Sequence, residues 1–156
     1  AGLARDRDWT VRFIEFMPFA MNDWEKDKFI SYEEIKRRII KVHTDFAPMP
    51  VGTDAPSSTQ KSYAGEKWLG RIGFISSMSD HFCGGCNRLR LTADGHLKVC
   101  LFDNRELDLK TLIELGTSDT ELLDYIRAAL TNKHYSHGGV DSILKGTNRP
   151  MVRIGG

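Results

Sequence analysis

The stretch HFCGGCNRLRLTADGHLKVC, running from His81 to Cys100, contains all three cysteines of the chain, Cys83, Cys86 and Cys100. Within it, Asp94-Gly95 lies between two alternating segments, which is a hairpin signal. Two registers compete. A two-residue loop would pair Leu89 with Cys100 and Arg90 with Val99, mixing polar and apolar residues on each face. A three-residue loop, Ala93-Asp94-Gly95, closes as a type I turn with Gly95 left-handed in a bulge. It pairs Leu91 with Leu97, Leu89 with Val99, Arg90 with Lys98 and Arg88 with Cys100. Side chains alternate along a strand, so this register makes one face apolar and gives the other Arg88, Arg90, Lys98 and Cys100. The second register is the expected one.

Three thiols with two guanidinium groups between the second and third suggest a metal site beside an anion site. Three thiolates can hold an iron–sulfur cluster and leave one iron open to a substrate. Zinc prefers a closed set of four, and His81, His96, His134 and His137 could each complete Cys₃His. Spacing alone does not separate the two metals. A Cys83–Cys86 disulfide would leave Cys100 unpaired. An arginine fork suits phosphate oxygens, but Arg88 and Arg90 could equally balance the thiolates or face solvent.

Outward from the hairpin, Thr10 to Met17 is rich in β-branched and aromatic residues and stops at Pro18, which predicts a strand buried on both faces. Arg12 and Glu15 inside it need either partners or a solvated strand end. Ser31 and Glu34 form a capping-box pattern before a helix over 32–43. Prolines, glycine, serines and threonine crowd 46–63 and predict a long loop. Gly70 to Ser77 reads as a second strand. Asp108 is placed to cap a short helix ending at Gly116, and Ser118 with Glu121 to start another that buries Leu122, Leu123, Ile126 and Leu130. From Lys133 onward no strong periodicity is present.

At 156 residues, with 40% hydrophobic and 28% charged side chains, the chain suits one domain with a real core. A net charge of +1 excludes a general attraction to nucleic acid or to a membrane surface, so an anionic ligand must be met by local basic residues. No apolar run is long enough to span a bilayer, and no secretory h-region opens the chain. Clustered thiols without a secretory signal predict an intracellular, reducing compartment.

The run F-C-x-x-C-N-R-L-R-L-T-x-D-G-x-L-x-x-C-L resembles the C-terminal cluster motif of the molybdenum cofactor biosynthesis protein A family, the GTP 3′,8-cyclases. VRFIEFMPF resembles that family's last barrel strand, and the closing NRPMVRIGG its double-glycine tail. The likeness covers essentially the whole chain, and the tail is most similar to eukaryotic members. It implies an α/β to α+β fold: the end of a partial (β/α) barrel over 1–45, a loop over 46–69, and a cluster and GTP-binding domain over 70–156. That last part would hold a small antiparallel sheet built on the hairpin 87–101, with flanking helices.

The resemblance implies a radical S-adenosylmethionine lyase that converts GTP to (8S)-3′,8-cyclo-7,8-dihydroguanosine 5′-triphosphate. Its radical-forming first 4Fe–4S cluster needs a C-x₃-C-x₂-C motif that this sequence does not contain. The chain is therefore expected to be a C-terminal, substrate-binding piece, inactive alone. By the same likeness, Cys83, Cys86 and Cys100 would hold a second 4Fe–4S cluster, and Arg88, Leu89 and Arg90 would lie at the GTP. Met17 would touch S-adenosylmethionine, and Arg12 would point into the active site. Gly155 and Gly156 could be a frayed end, a ubiquitin-like end or, as the likeness implies, a tail entering the active site. The expected partners are GTP, a second copy of the chain, and a cyclic pyranopterin monophosphate synthase that receives the product. The expected compartment is the mitochondrial matrix in a eukaryote and the cytoplasm in a bacterium.

Overall fold

A computed structural model describes residues 1–19, 22–50, 59–134, 136–146, 149–150 and 153–154. The chain divides into two units, one formed by 1–17 and 24–86 and the other by 18–23 and 87–156. Together they give an α+β protein with one mixed and one antiparallel sheet.

The first unit has a four-stranded sheet in the order β1-β4-β3-β2, with β1 (Thr10–Ile14), β2 (Ala47–Pro48), β3 (Lys61–Ala64) and β4 (Arg71–Ile75). The two strands expected from the β-branched runs pair in parallel, Val11 against Ile72 and Phe13 against Phe74. A short helix, α1 (Gly2–Asp6), precedes β1, and the longer α2 (Tyr32–Val42) begins where Ser31 accepts the Glu34 amide. The Glu34 carboxylate does not return to the cap; it bonds Arg37 and Arg38 instead, which hold it below the usual carboxylate range. Phe74 centres the core, with the rings of Phe13, Tyr32, Phe46 and Tyr63 packed around it.

Two expectations are corrected here. Of the stretch expected as a loop, residues 51–58 lie outside the described residues, and its two ends contribute β2 and β3, which pair Ala47 with Ala64 and Pro48 with Tyr63. Their alternation is too short to show against the prolines, and β3 is fixed by pairing with β4 rather than by its own pattern. Secondly, β1 is buried on one side only: Val11 and Phe13 pack on the core, while Arg12 and Ile14 are exposed. Within this unit β1 is an edge strand.

Glu15 explains how the unit is tied together. It is 3% exposed, and its carboxylate accepts from the Tyr32 amide at the start of α2 and the Met78 amide, both at 2.7 Å. It also accepts from the amide and hydroxyl of Ser79. The charge inside the strand is thus not a solvated end. It satisfies the buried Tyr32 amide, an orphan of its helix start, and the part-buried donors of the turn after β4.

The second unit is built on β5 (Arg90–Leu91), β6 (His96–Lys98) and β7 (Leu107–Asp108), followed by α3 (Leu109–Glu114), α4 (Asp119–Thr131) and α5 (Val140–Lys145). Asp108 caps α3 by accepting from the Thr111 amide, and Ser118 with Glu121 completes both bonds of a capping box on α4. Gly116 has φ +79°, the left-handed residue expected after α3. The helix α4 buries less than its sequence suggests: Leu122 and Ile126 are half-buried, while Leu123 and Leu130 are 50% and 40% exposed. Neither β7 nor α5 was expected, because each is too short to carry a periodic pattern.

Lys98 is also corrected. It was placed on an open basic face, yet it has no exposed surface. Its ammonium donates to the Asp103 carbonyl at 2.6 Å and to Glu106 at 3.1 Å. A buried ammonium is tolerated when paired and hydrogen-bonded in this way.

Two stability outcomes follow. Replacing Glu15 by alanine should lower the free energy of urea unfolding by about 3 kcal/mol, because the buried Tyr32 amide and the part-buried donors of Met78 and Ser79 lose their acceptor at once. Arg12→Ala, at an exposed position, should cost under about 1 kcal/mol, and equal losses would contradict the assignment. Glu106→Ala should cost about 3–5 kcal/mol by leaving Lys98 unpaired, and adding Lys98→Met should recover most of that. A double variant no better than the single one would count against the pair.

Candidate metal and nucleotide site

The hairpin adopts the three-residue loop. Arg90 pairs with Lys98 and Leu91 with Leu97. The Gly95 amide donates to the Thr92 carbonyl at 3.0 Å, and Gly95 has φ +86°. Only glycine suits it, since an added Cβ would also lie 2.6 Å from the Lys110 side chain. Thr92 completes the turn by donating its hydroxyl to Asp94 at 2.5 Å and accepting from the His96 amide at 2.9 Å. The ladder covers only these two pairs, so Arg88, Leu89 and Cys100 lie just beyond it. Leu97 and Val99 are buried, whereas Leu89 and Leu91 on the outer strand are exposed.

The cysteines divide between the units. Cys83 and Cys86 bracket a single 3₁₀ turn in the first, where the Cys86 amide donates to the Cys83 carbonyl at 3.1 Å. Cys100 belongs to the second. All three cysteines are half-buried and none is in a disulfide, so no disulfide joins Cys83 to Cys86. Among the described residues, neither unit by itself gathers three or more His, Cys, Asp or Glu side chains into a group that could hold a metal ion.

Cys100 lines a cavity of about 320 Å³ with Phe102, Asp103, Arg105, His134 and His137. Phe102 stacks on Phe19 and meets His137 edge-on at 5.0 Å, which forms its apolar wall. Arg105 bonds both carboxylate oxygens of Asp103 and the Asn132 carbonyl at the end of α4. That pairing holds the Asp103 carboxyl below its usual range and raises Arg105, to which the nearby Cys100 also contributes. Cysteine sulfur is a soft donor, none of the three is consumed by a disulfide, and the Arg105 guanidinium lies near Cys100 within the second unit.

Arg88 is exposed and Arg90 half-buried, and Lys133 donates to the Arg88 carbonyl at 3.5 Å. This puts a third cation beside the arginine pair, one that no motif revealed. Arg12 donates to Gln60 at 2.8 Å, and Gly73, its partner on β4, leaves room for that glutamine. Met17 is half-buried beyond the end of β1. His81 is exposed two residues before Cys83, and His96 sits at the hairpin turn between Asp94 and Asp108. Gly155 and Gly156 lie outside the described residues.

Sequence reasoning missed Asp103, Arg105, Glu106 and Arg149. The close spacing of Asp103 and Arg105 was the one available signal. Glu106 and Arg149 act through residues distant in sequence.

The chain matches the Molybdenum Cofactor Synthesis C family over residues 9–139. It is 45% identical over 153 residues to molybdenum cofactor biosynthesis protein 1 of Dictyostelium discoideum, covering 98% of this chain and 24% of that protein. It is 43% identical over 154 residues to the mitochondrial GTP 3′,8-cyclase of Arabidopsis thaliana, covering 99% of this chain and 39% of the relative. With the GTP 3′,8-cyclase of Thermodesulfovibrio yellowstonii it shares 41% identity over 149 residues, covering 96% and 44%. The chain thus spans less than half the length of the relatives it matches. By the extent of that match, it belongs to the Molybdenum Cofactor Synthesis C family.

Proposed function

We propose that this chain is the substrate-binding part of a GTP 3′,8-cyclase acting in molybdenum cofactor biosynthesis. The observation that carries the reading is the cysteine hairpin. It carries Cys100, with Arg90 in its ladder and Arg88 just beyond, and follows Cys83 and Cys86, none of the three cysteines being in a disulfide, in a chain whose relatives carry that activity in their names.

Cys83, Cys86 and Cys100 bind a 4Fe–4S cluster. When bound, it supplies an iron coordination position that no cysteine fills and that a guanine can take. Arg88 and Arg90 donate paired hydrogen bonds to the triphosphate, with Leu89 between them against the nucleotide. Holding the base and the phosphates at separate points fixes the ribose, and positioning of this kind is a large share of the rate. Met17 borders S-adenosylmethionine, which is bound with a first cluster by the rest of a longer protein. Arg12 projects toward the reacting atoms. Gly155 and Gly156 supply backbone that can approach the substrate closely because it carries no Cβ. The protein works as a homodimer, and its product passes to a cyclic pyranopterin monophosphate synthase. The compartment is the mitochondrial matrix in a eukaryote or the cytoplasm in a bacterium. No described helix is long and apolar enough to cross a membrane.

One observation favours a second reading. His134 and His137 line the same cavity as Cys100, which would suit a closed Cys₃His zinc site. Anaerobic reconstitution separates the two. The cluster reading expects a brown protein with about four iron and four sulfide per chain, bleached by air. A colourless protein with one tightly held zinc would overturn it. In the full-length enzyme, Arg88→Ala and Arg90→Ala should each weaken GTP binding by about tenfold or more with iron content unchanged. Unchanged affinity would remove the phosphate assignment.

A further inference from the structure

Beyond the hairpin, one side chain ties three separate segments together. Arg149 bonds the Asp94 carboxylate through Nη1 at 2.5 Å and the Glu106 carboxylate through Nη2 at 2.6 Å. Asp94 lies in the hairpin turn, and Glu106 precedes β7. The other oxygen of Glu106 holds the buried Lys98 at 3.1 Å. Four charges therefore run in a line, Asp94–Arg149–Glu106–Lys98, with the last two nearly or wholly removed from solvent. A planar fork can meet two carboxylates on different segments at once, which a single ammonium cannot do with the same geometry.

Two described residues further on also have defined surroundings. The Arg153 amide donates to the Pro150 carbonyl at 2.9 Å, and Ile154 has no exposed surface. Gly155 and Gly156 come next in sequence.

We propose that Arg149 is a positioning residue, whose fork moors the segment leading to Gly155-Gly156 onto the cysteine hairpin. The inference rests on the function proposed above for those glycines and adds what holds them in place. A loose segment would lose conformational freedom each time it met the substrate; a moored one has already lost it. The charges support a permanent mooring. The Thr92 hydroxyl first, and then Arg149, hold the Asp94 carboxyl well below its usual range, and Asp94 raises Arg149 in turn. A lowered carboxylate contributes above its unfolded value and is lost only as pH falls through its folded one. The mooring therefore persists throughout the neutral range.

Hydrogen exchange followed by mass spectrometry tests the mooring without activity. In Arg149→Met, peptides covering 149–154 should exchange at least tenfold faster, while those of α4 stay as in the native chain. Arg149→Lys should be intermediate. Asp94→Asn, which spares the Glu106 arm, should give a smaller change of the same kind. Unchanged exchange at 149–154 would overturn the proposal. In the full-length enzyme, Arg149→Met should cut kcat for GTP about tenfold or more, with KM and iron content within twofold of native. Faster exchange with native turnover would overturn the positioning role, as would a loss carried only by KM or iron. An unsubstituted enzyme that binds neither cluster nor GTP would sink the functional reading instead, and the exchange measurement would still decide the mooring.

Discussion

A lysine ammonium with no exposed surface cannot stand in a small sheet unless something of opposite charge is built around it. In the second unit that requirement falls on Lys98, and Glu106 with the Asp103 carbonyl meets it. The consequences spread from there. Glu106 must lie beside β6, which brings Leu107 into register with Leu97 and so adds β7 to the hairpin. Asp103, fixed through its carbonyl, offers its carboxylate to Arg105, and Arg105 reaches the end of α4. The second oxygen of Glu106 takes Arg149. One buried charge thereby organises the hairpin, the loop after Cys100 and the segment beyond α5. Stability alone does not call for this pair, since buried ion pairs often gain nothing over packed hydrocarbon. What the pair supplies is a defined arrangement around the cysteine.

The first unit has a parallel logic at Glu15. A carboxylate at the end of β1 gathers amides from α2 and from the turn after β4. In both units a charge that looks misplaced in a strand is the point from which neighbouring loops are set. Such a charge marks where loops of functional interest are held at fixed positions, as Cys83 and Cys86 follow the turn that Glu15 holds.

Much of this was legible from local chemistry. Ser31, Asp108 and Ser118 start their helices as their side chains dictate, and Gly95 and Gly116 take up left-handed backbone where the turns need it. The choice between two hairpin registers followed from keeping the faces distinct. What escaped was set by partners that only the folded chain brings alongside. The strand Lys61–Ala64 exists because β4 is beside it, and Lys98 turns inward because Glu106 is there. The burial assigned to Leu123 and Leu130 came from helical spacing, which identifies a face without saying whether anything covers it. For the site, the thiols and arginines were visible as residue types, whereas Arg105, Glu106 and Arg149 emerge only when the segments are brought together.

The account turns on an iron position that the three cysteines leave to the nucleotide. Hyperfine spectroscopy of the reduced, anaerobically loaded protein addresses it directly, using GTP labelled with nitrogen-15 in the guanine ring. The account predicts a nitrogen coupling to the cluster that changes with the label and disappears when GTP is withheld. A nitrogen coupling indifferent to the label, present without GTP and abolished by replacing His134 or His137, would show that a protein side chain closes the site and would contradict it.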